Sequence, residues 1–282
     1  MPELPEVETI ARTLSRRVAG KRLAACRLIF PPLMRAGSRR DVSGIIGRRV
    51  EGLGRRGKYL MIHLQGGLSL VFHLKMTGQF RFVPQRQKPD KHTRLVLTFR
   101  GSTEDLHFRD VRKFGCLYAL PTEGLTDAPP VAGLGPEPLT LSFEGFRRRI
   151  RGRKGRLKSL LLNQSFIAGI GNIYADEILF RSRLHPLRLA SRLKAEELRR
   201  LWLSIKAVLN KAIERGGSSV RDYANAEGQR GRYQEVHRVY GRESLPCFRC
   251  GAPLKRRVIG GRSSFFCPRC QRDPNCLFAE KK

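Results

Sequence analysis

The strongest constraint on the fold lies near the C-terminus: Cys247-x2-Cys250, sixteen residues, then Cys267-x2-Cys270. Four thiolates at this spacing suit a tetrahedral Zn²⁺. Such a site has every position filled and none open for water, so it is structural, with one ion per chain. The insert APLKRRVIGGRSSFF alternates in polarity and carries a central Gly-Gly. That pattern predicts a β-hairpin with Arg262 at its tip. Cys26, Cys116 and Cys276 have no partners at ligand spacing and read as free thiols, buried or incidental. Paired CxxC motifs point to metal in a reducing compartment rather than to disulfides.

Charge sets the partner class. Lys and Arg total 56 against 24 Asp and Glu, a formal net charge of +32 over 282 residues. A surplus this large implies a polyanion. Nucleic acid is favoured over an anionic membrane, because no polybasic segment adjoins an apolar anchor and no lipidation motif is visible. No apolar run approaches the ~20 residues of a membrane span, and the N-terminus lacks a signal-type stretch. A soluble, intracellular, monomeric protein is expected.

Length predicts about two domains. Val7, Ile10, Leu14 and Val18 recur at helical spacing within 5–18, after Pro5 and before Gly20, as an amphipathic helix requires. From about 20 to 120 the period falls to two. KYLMIHL and LSLVFHLKM flank Gly66-Gly67, and RLVLTF and LHF flank RGSTED. These are hairpin signals, so an antiparallel β-sandwich or flattened barrel is expected. The Pro/Gly-rich stretch 122–139 reads as a linker. Helical periodicity returns in FEGFRRRI, GRLKSLLLNQ, NIYADEILFRSR and EELRRLWLSIKAVLNKAIER, and 218–240 reads as a long polar loop. There is no internal repeat. The expected fold class is α+β, with a catalytic sandwich domain at 1–130, a helical domain with the polar loop at 131–240, and a zinc module at 241–282.

Three further stretches carry chemistry. In QSFIAGIGNIYADEIL, Gly169 and Gly171 form a tight turn between helical segments, and Asn172 suits the N-cap of the second. The free N–H groups of such a corner can hold a phosphate, although an ordinary helix–turn–helix corner has the same pattern. DVRKFG sets Arg112 and Phe114 one residue apart, a pairing able to enter a DNA stack. By pattern alone Phe114 and Met76 belong in a core, and His73 and His92 read as core or surface histidines. The third stretch is MPELPEVETI. Loss of Met1 exposes the secondary amine of Pro2. An α-amino group has a pKa near about 8, so part of it is neutral and nucleophilic. Attack on a carbonyl-level carbon gives an iminium, which has no proton on nitrogen to lose and serves as an electron sink. Glu3 beside it can move protons. The alternative is that Glu3, Glu6 and Glu8 only complement a helix N-terminus, and Glu8 is read in that way.

Together these blocks resemble one family, the formamidopyrimidine-DNA glycosylases. The resemblance rests on PELPEVET, GRRGKYL (54–60), HLKMTG (73–78), DVRKFG (110–115), LxNQSFIAGIGNIYADEILF (161–180) and GRSSFFCPRCQ (261–271), in matching order over nearly the whole chain. It implies a helix–two-turn–helix domain with DNA in a basic cleft. It implies excision of oxidised purines, 8-oxoguanine and formamidopyrimidines, in base-excision repair. Strand scission would follow, leaving a one-nucleotide gap with phosphate at both ends.

The resemblance also implies roles. Pro2 would be the nucleophile on C1′, Glu3 the general acid/base and Glu6 its organiser. Lys58 would be a proton donor in β-elimination, and Arg262 a phosphate-binding residue of δ-elimination. Met76, Arg112 and Phe114 would fill the gap of the flipped nucleotide. His73, His92, Arg112, Arg153, Lys158, Gly171 and Asn172 would contact DNA. Ser219 and Tyr223 would belong to a loop over the flipped base. Zinc would take no part in the chemistry. Departures are small: Arg153 stands where lysine is frequent, Val111 where proline is also found, and the tail after Cys270 is slightly long. The rival readings are an endonuclease VIII type acting on oxidised pyrimidines, and a non-catalytic zinc DNA-binding protein. The second leaves Pro2 and Glu3 without a task. A cytoplasmic, nucleoid-associated bacterial protein is expected.

Overall fold

Pro5 within the first turn and a capping pair at Glu3 and Glu6 start α1 (Leu4–Val18). Its apolar stripe, Val7, Ile10, Leu14 and Val18, is wholly buried. The helix stops before Gly20, whose left-handed backbone (φ 81°) turns its N–H to the carbonyl of Val50 at 2.8 Å. The structure, a computed structural model, describes residues 1–36, 44–129, 131–220 and 223–272. Cys276 lies outside the described residues. Packing divides the chain into two units, Met1–Gly133 with Ile213–Gln234, and Leu134–Ala212 with Glu235–Lys282.

Among the described residues of the first unit nine strands follow α1: β1 (Leu23–Leu28), β2 (Met34–Ala36), β3 (Val50–Arg56), β4 (Tyr59–Leu64), β5 (Leu68–His73), β6 (Gly78–Pro84), β7 (Thr93–Phe99), β8 (Glu104–Asp110) and β9 (Cys116–Pro121). They form a four-stranded sheet, β1-β7-β8-β6, and a five-stranded sheet, β2-β9-β5-β4-β3. Both expected hairpins are present. Leu64 pairs with Leu68 around Gly66-Gly67, and Thr98 pairs with Asp105 around 100–103. The pairing is antiparallel throughout except between β2 and β9, which run parallel.

Strand alternation sends Leu60, Ile62, Leu70 and Phe72 of one sheet and Phe80, Leu95, Leu97, Leu106 and Phe108 of the other into one core with the stripe of α1. Each side chain so buried contributes roughly 1.5–3 kcal/mol. Phe72, Phe80 and Phe108 meet with ring centroids 5.0–5.5 Å apart.

The segment Ile213–Gln234, which the sequence groups with the helices, packs in this unit. Its polar backbone finds partners here: Ser218 N–H donates to Glu6, and the Ala226 carbonyl accepts from Phe82 N–H.

The second unit contains α2 (Phe143–Ile150), α3 (Leu157–Leu162), α4 (Asn172–Arg181), all but the last two residues of α5 (Ala195–Glu214) and a hairpin of β10 (Lys255–Ile259) and β11 (Arg262–Phe266). Ser142 caps α2 by accepting from Gly145 N–H at 3.1 Å. Gly260 and Gly261 have φ of 57° and 72°, the two left-handed positions of a type I′ turn. Cys247, Cys267 and Leu254 form a small core with Phe180 and Val239. Among the described residues no helix is long and apolar enough to cross a membrane.

Candidate active site and nucleic-acid interface

Pro2, Glu3 and Glu6 are buried at the start of α1. Glu3 is the N-cap, and its carboxylate accepts from the Glu6 N–H. In return Glu6 Oε2 accepts from the Glu3 N–H at 2.8 Å. This reciprocal box satisfies two helix-start donors and fixes the Glu3 side chain. The other oxygen of Glu6 accepts from Ser218 N–H at 2.7 Å. Gly217 allows this approach: it has φ +82°, and a Cβ there would lie 2.7 Å from Glu6 Oε1. Glu6 therefore joins the N-terminus to a segment more than two hundred residues later in the chain.

Ser219 and Tyr223, expected over the flipped base, join the same clamp. The Ser219 hydroxyl donates to Tyr223 O at 2.7 Å and accepts from Gly231 N–H at 2.9 Å. The Tyr223 hydroxyl donates to Glu6 O at 3.3 Å, its ring packs on the core, and burial pushes its pKa far up. Ser219 is buried and Tyr223 half-buried, and both hydroxyls are hydrogen-bonded inward. Arg221 and Asp222 of that loop lie outside the described residues.

Lys58 is buried in the turn between β3 and β4. The turn is held from a distance by Glu8, whose carboxylate accepts from Arg12 Nε at 2.8 Å and Arg55 Nε at 3.0 Å. Arg55 also donates to Gly57 O at 3.0 Å. Burial opposes charge on Glu8, but the two arginines outweigh it and hold its pKa below the ordinary value. Glu8 is thus a cross-link from α1 to the Lys58 turn, more than the helix complement that sequence suggested.

His73, expected at DNA, is only 9% exposed. Its ring meets the Tyr59 ring edge-on at 4.6 Å, and its Nδ1 accepts from Lys75 N–H at 2.9 Å. Burial, then the charges of Lys75 and Lys58, push its pKa down to about 3. It is a neutral packing residue, because β5 delivers it into the sheet rather than to the surface.

The expected wedge residues do come together. Met76 and Phe114 are 41% and 48% exposed. The Arg112 guanidinium lies 4.7 Å from the Phe114 ring centroid and donates to Met76 Sδ at 2.9 Å. Beneath them Asp110 is buried and accepts from the Thr77 hydroxyl and from Gly115 N–H at 2.7 Å. A Cβ on Gly115 would meet the Phe108 ring at 2.9 Å. His92 adjoins this loop, its carbonyl accepting from Asp110 N–H at 2.9 Å.

In the second unit Gly171 is the extended N-cap of α4 (φ −127°) and Asn172 its first residue, so the cap falls one position earlier than expected. Asn172 Nδ2 donates to Ser263 O at 2.9 Å. Arg153 is exposed in the loop between α2 and α3. Lys158, expected to bind DNA, is 0% exposed. Its ammonium bonds Asp176 at 2.6 Å and the Asn172 carbonyl at 3.2 Å, so it cannot reach a phosphate. Burial pushes Asp176 up to about 7, while Lys158 opposes that shift. Arg262 is exposed at the hairpin tip.

The sulfurs of Cys247, Cys250, Cys267 and Cys270 lie within 4.8 Å of one another. Two of the pairs are at 3.9 and 3.5 Å. A tetrahedral zinc with Zn–S of about 2.3 Å needs S···S near about 3.8 Å. The four residues fit the ion and form a structural zinc site.

The sandwich, the helical corner and the four-cysteine hairpin together define a zinc-bearing helix–two-turn–helix protein. Residues 1–117 match the family model described as formamidopyrimidine-DNA glycosylase N-terminal domain. Residues 134–224 match its H2TH domain, and 244–272 match the zinc finger found in FPG and IleRS. The formamidopyrimidine-DNA glycosylase of Thermus thermophilus is 45% identical over 275 residues, spanning 96% of this chain and 98% of that one. That of Pelotomaculum thermopropionicum is 42% identical over 275 residues, spanning 96% and 99%. The crystal structure of MutM (Fpg) from Thermus thermophilus superposes with a TM-score of 0.85 at 44% identity, covering 96% and 98% of the two chains. The complex between Lactococcus lactis Fpg and abasic-site DNA superposes with 0.90 at 34% identity, covering 96% and 100%. The chain belongs to the formamidopyrimidine-DNA glycosylase family.

Proposed function

We propose that this protein excises oxidised purines from duplex DNA and cleaves the abasic strand, acting through the nitrogen of Pro2 after loss of Met1. The observation that carries the reading is the reciprocal Glu3–Glu6 cap, which holds a buried carboxylate one residue from that nitrogen. Solved relatives support the substrate class: Lactococcus lactis Fpg is seen with DNA containing an abasic site and with DNA containing an N7-benzyl-Fapy-dG lesion.

A base inside a duplex is out of reach, so the nucleotide must be extruded, at a cost of a few kcal/mol. Phe114, Arg112 and Met76 offset that cost by filling the vacated stack. The Pro2 nitrogen then attacks C1′ and the bond to the base breaks. Opening of the sugar ring moves a proton to O4′, with Glu3 as the proton carrier. The cation left on nitrogen acidifies the C2′ proton. Removal of that proton expels the 3′ phosphate, Lys58 supplying a proton in this β step. A second elimination expels the 5′ phosphate, for which Arg262 provides the cation. His92, Arg153 and the α4 N-terminus at Gly171 and Asn172 hold backbone phosphates. Bound zinc supplies no chemistry to these steps; its four thiolate ligands hold the module that carries Arg262. Such a substrate places the protein with the chromosome in the bacterial cytoplasm.

Borohydride reduction during turnover of an 8-oxoguanine duplex should trap a covalent protein–DNA adduct through Pro2. Pro2→Gly and Glu3→Gln should each lower base excision by at least about 10²-fold. Excision at the parent rate in either variant would overturn the assignment. A thymine glycol duplex, if excised in preference, would favour the oxidised-pyrimidine reading.

A further inference from the structure

Helix α4 carries two consecutive buried carboxylates, Asp176 and Glu177; Asp176 grips the cysteine hairpin and Glu177 the segment that leads into it. Glu177 accepts the N–H groups of Arg238, Val239 and Tyr240 at 2.9–3.0 Å. Asp176 Oδ2 accepts the N–H of Phe265 in β11 at 3.1 Å. One turn earlier, Asn172 Nδ2 donates to the carbonyl of Ser263 at 2.9 Å. Residues 263 and 265 are two apart, so these backbone groups share one edge of the strand. They lie on the edge away from β10, which a two-stranded ribbon leaves unpaired. Side chains of α4 therefore act where a third strand would.

A carboxylate is a costly acceptor to bury, and Lys158 offsets the cost. Its ammonium lies 2.6 Å from Asp176 Oδ1, both side chains being 0% exposed. The same ammonium donates to the Asn172 carbonyl at 3.2 Å. The ring closes: α3 through Lys158, α4 through Asn172 and Asp176, and β11 through Ser263 and Phe265. Buried ion pairs add little net stability over well-packed apolar groups, so stability alone does not account for charge at this place. Its distinctive product is a defined strand position directly behind Arg262.

We propose that the buried Lys158–Asp176 pair is a positioning device for Arg262, locking the free edge of β11 to α4 so that the hairpin tip and the Asn172 corner form one rigid element. The proposal rests on the reading of Arg262 as the cation of the second elimination.

The test uses full-length, zinc-loaded protein on an abasic duplex. Single K158M and D176N leave one buried charge without its partner, so both should lose thermal stability. The double variant K158M/D176N keeps an acceptor for Phe265 N–H and no orphaned charge. It should regain both the melting temperature and the parent ratio of δ- to β-elimination product. K158M/D176L should regain the melting temperature but not the ratio. In it the Phe265 amide should exchange with solvent about tenfold faster or more, having lost its acceptor. K158M/D176A serves the same comparison should the leucine variant not fold. If ratio and exchange return together with the melting temperature in the apolar variant, the pair acts through stability alone and the proposal is overturned. Arg262→Ala separates the two failures. If that change leaves the product ratio at the parent value, the role given to Arg262 is wrong, and exchange at Phe265 then decides whether the pair docks the hairpin.

Discussion

Glu6 shows how much one buried carboxylate can organise. It accepts from Glu3 N–H within α1 and from Ser218 N–H in the returning segment. Glu6→Ala removes this acceptor from both buried donors, and each such loss costs about 1–3 kcal/mol. Chemical denaturation should show roughly 2–6 kcal/mol of lost stability, with Glu6→Gln milder because one acceptor oxygen remains. His73 sets a pH dependence. Its pKa falls from 6.5 to about 3 on folding, so the folded state resists protonation that the unfolded chain accepts. Its contribution is complete above pH 6.5 and is lost as pH falls from there towards about 3. The slope is about 1.4 kcal/mol per pH unit within that window. Unfolding followed between pH 7 and 4 should flatten in His73→Gln; an unchanged acid limb would count against this account.

The wedge loop belongs to the scale of elements. Met76 leaves β5 and Arg112 and Phe114 leave β8, so no single strand holds them. Asp110 joins the two loops through Thr77 and Gly115. Asp110→Ala should destabilise the protein by about 2–4 kcal/mol and disorder the wedge without touching it. Phe114→Ala should leave the fold intact and slow excision from duplex by roughly tenfold or more, with less effect on a single-stranded lesion that needs no unstacking. A fluorescent base analogue opposite the lesion reports flipping directly. Equal loss on both substrates would remove Phe114 from the wedge.

At the scale of the whole molecule, charge and zinc dominate. A formal net charge of +32 predicts binding that weakens steeply with salt. With six to ten phosphates neutralised, affinity should drop roughly 10³- to 10⁵-fold between 50 and 200 mM salt. Titrations in that range measure the slope, and Arg153→Ala should lower it by about one contact. Chelation of zinc should unfold the cysteine module, since its small core of Val239, Leu254 and Phe180 is built around Cys247 and Cys267. Loss of strand cleavage on chelation, with recovery on zinc addition, is the expected outcome.

Period and spacing carried much of this protein into view. The stripe Val7, Ile10, Leu14, Val18, the two glycine-turn hairpins, the cysteine spacing and the Gly260-Gly261 tip are local patterns, and local sterics and ligand geometry suffice to produce them. The Arg112–Phe114 pair was legible only as an ambiguity, because an exposed wedge and a core aromatic share one pattern. Other assignments depended on contacts between distant residues. The resemblance sends Lys158 and His73 towards DNA; Asp176 and the sheet interior hold them buried instead. Tyr223 and Ser219 turn inward because Glu6 draws their segment onto α1. Glu8, on α1, acquires Arg55, which lies on β3. No periodicity encodes a partner on another element, since which carboxylate meets which cation is set when the chain packs and the unpaired charge would otherwise be buried alone.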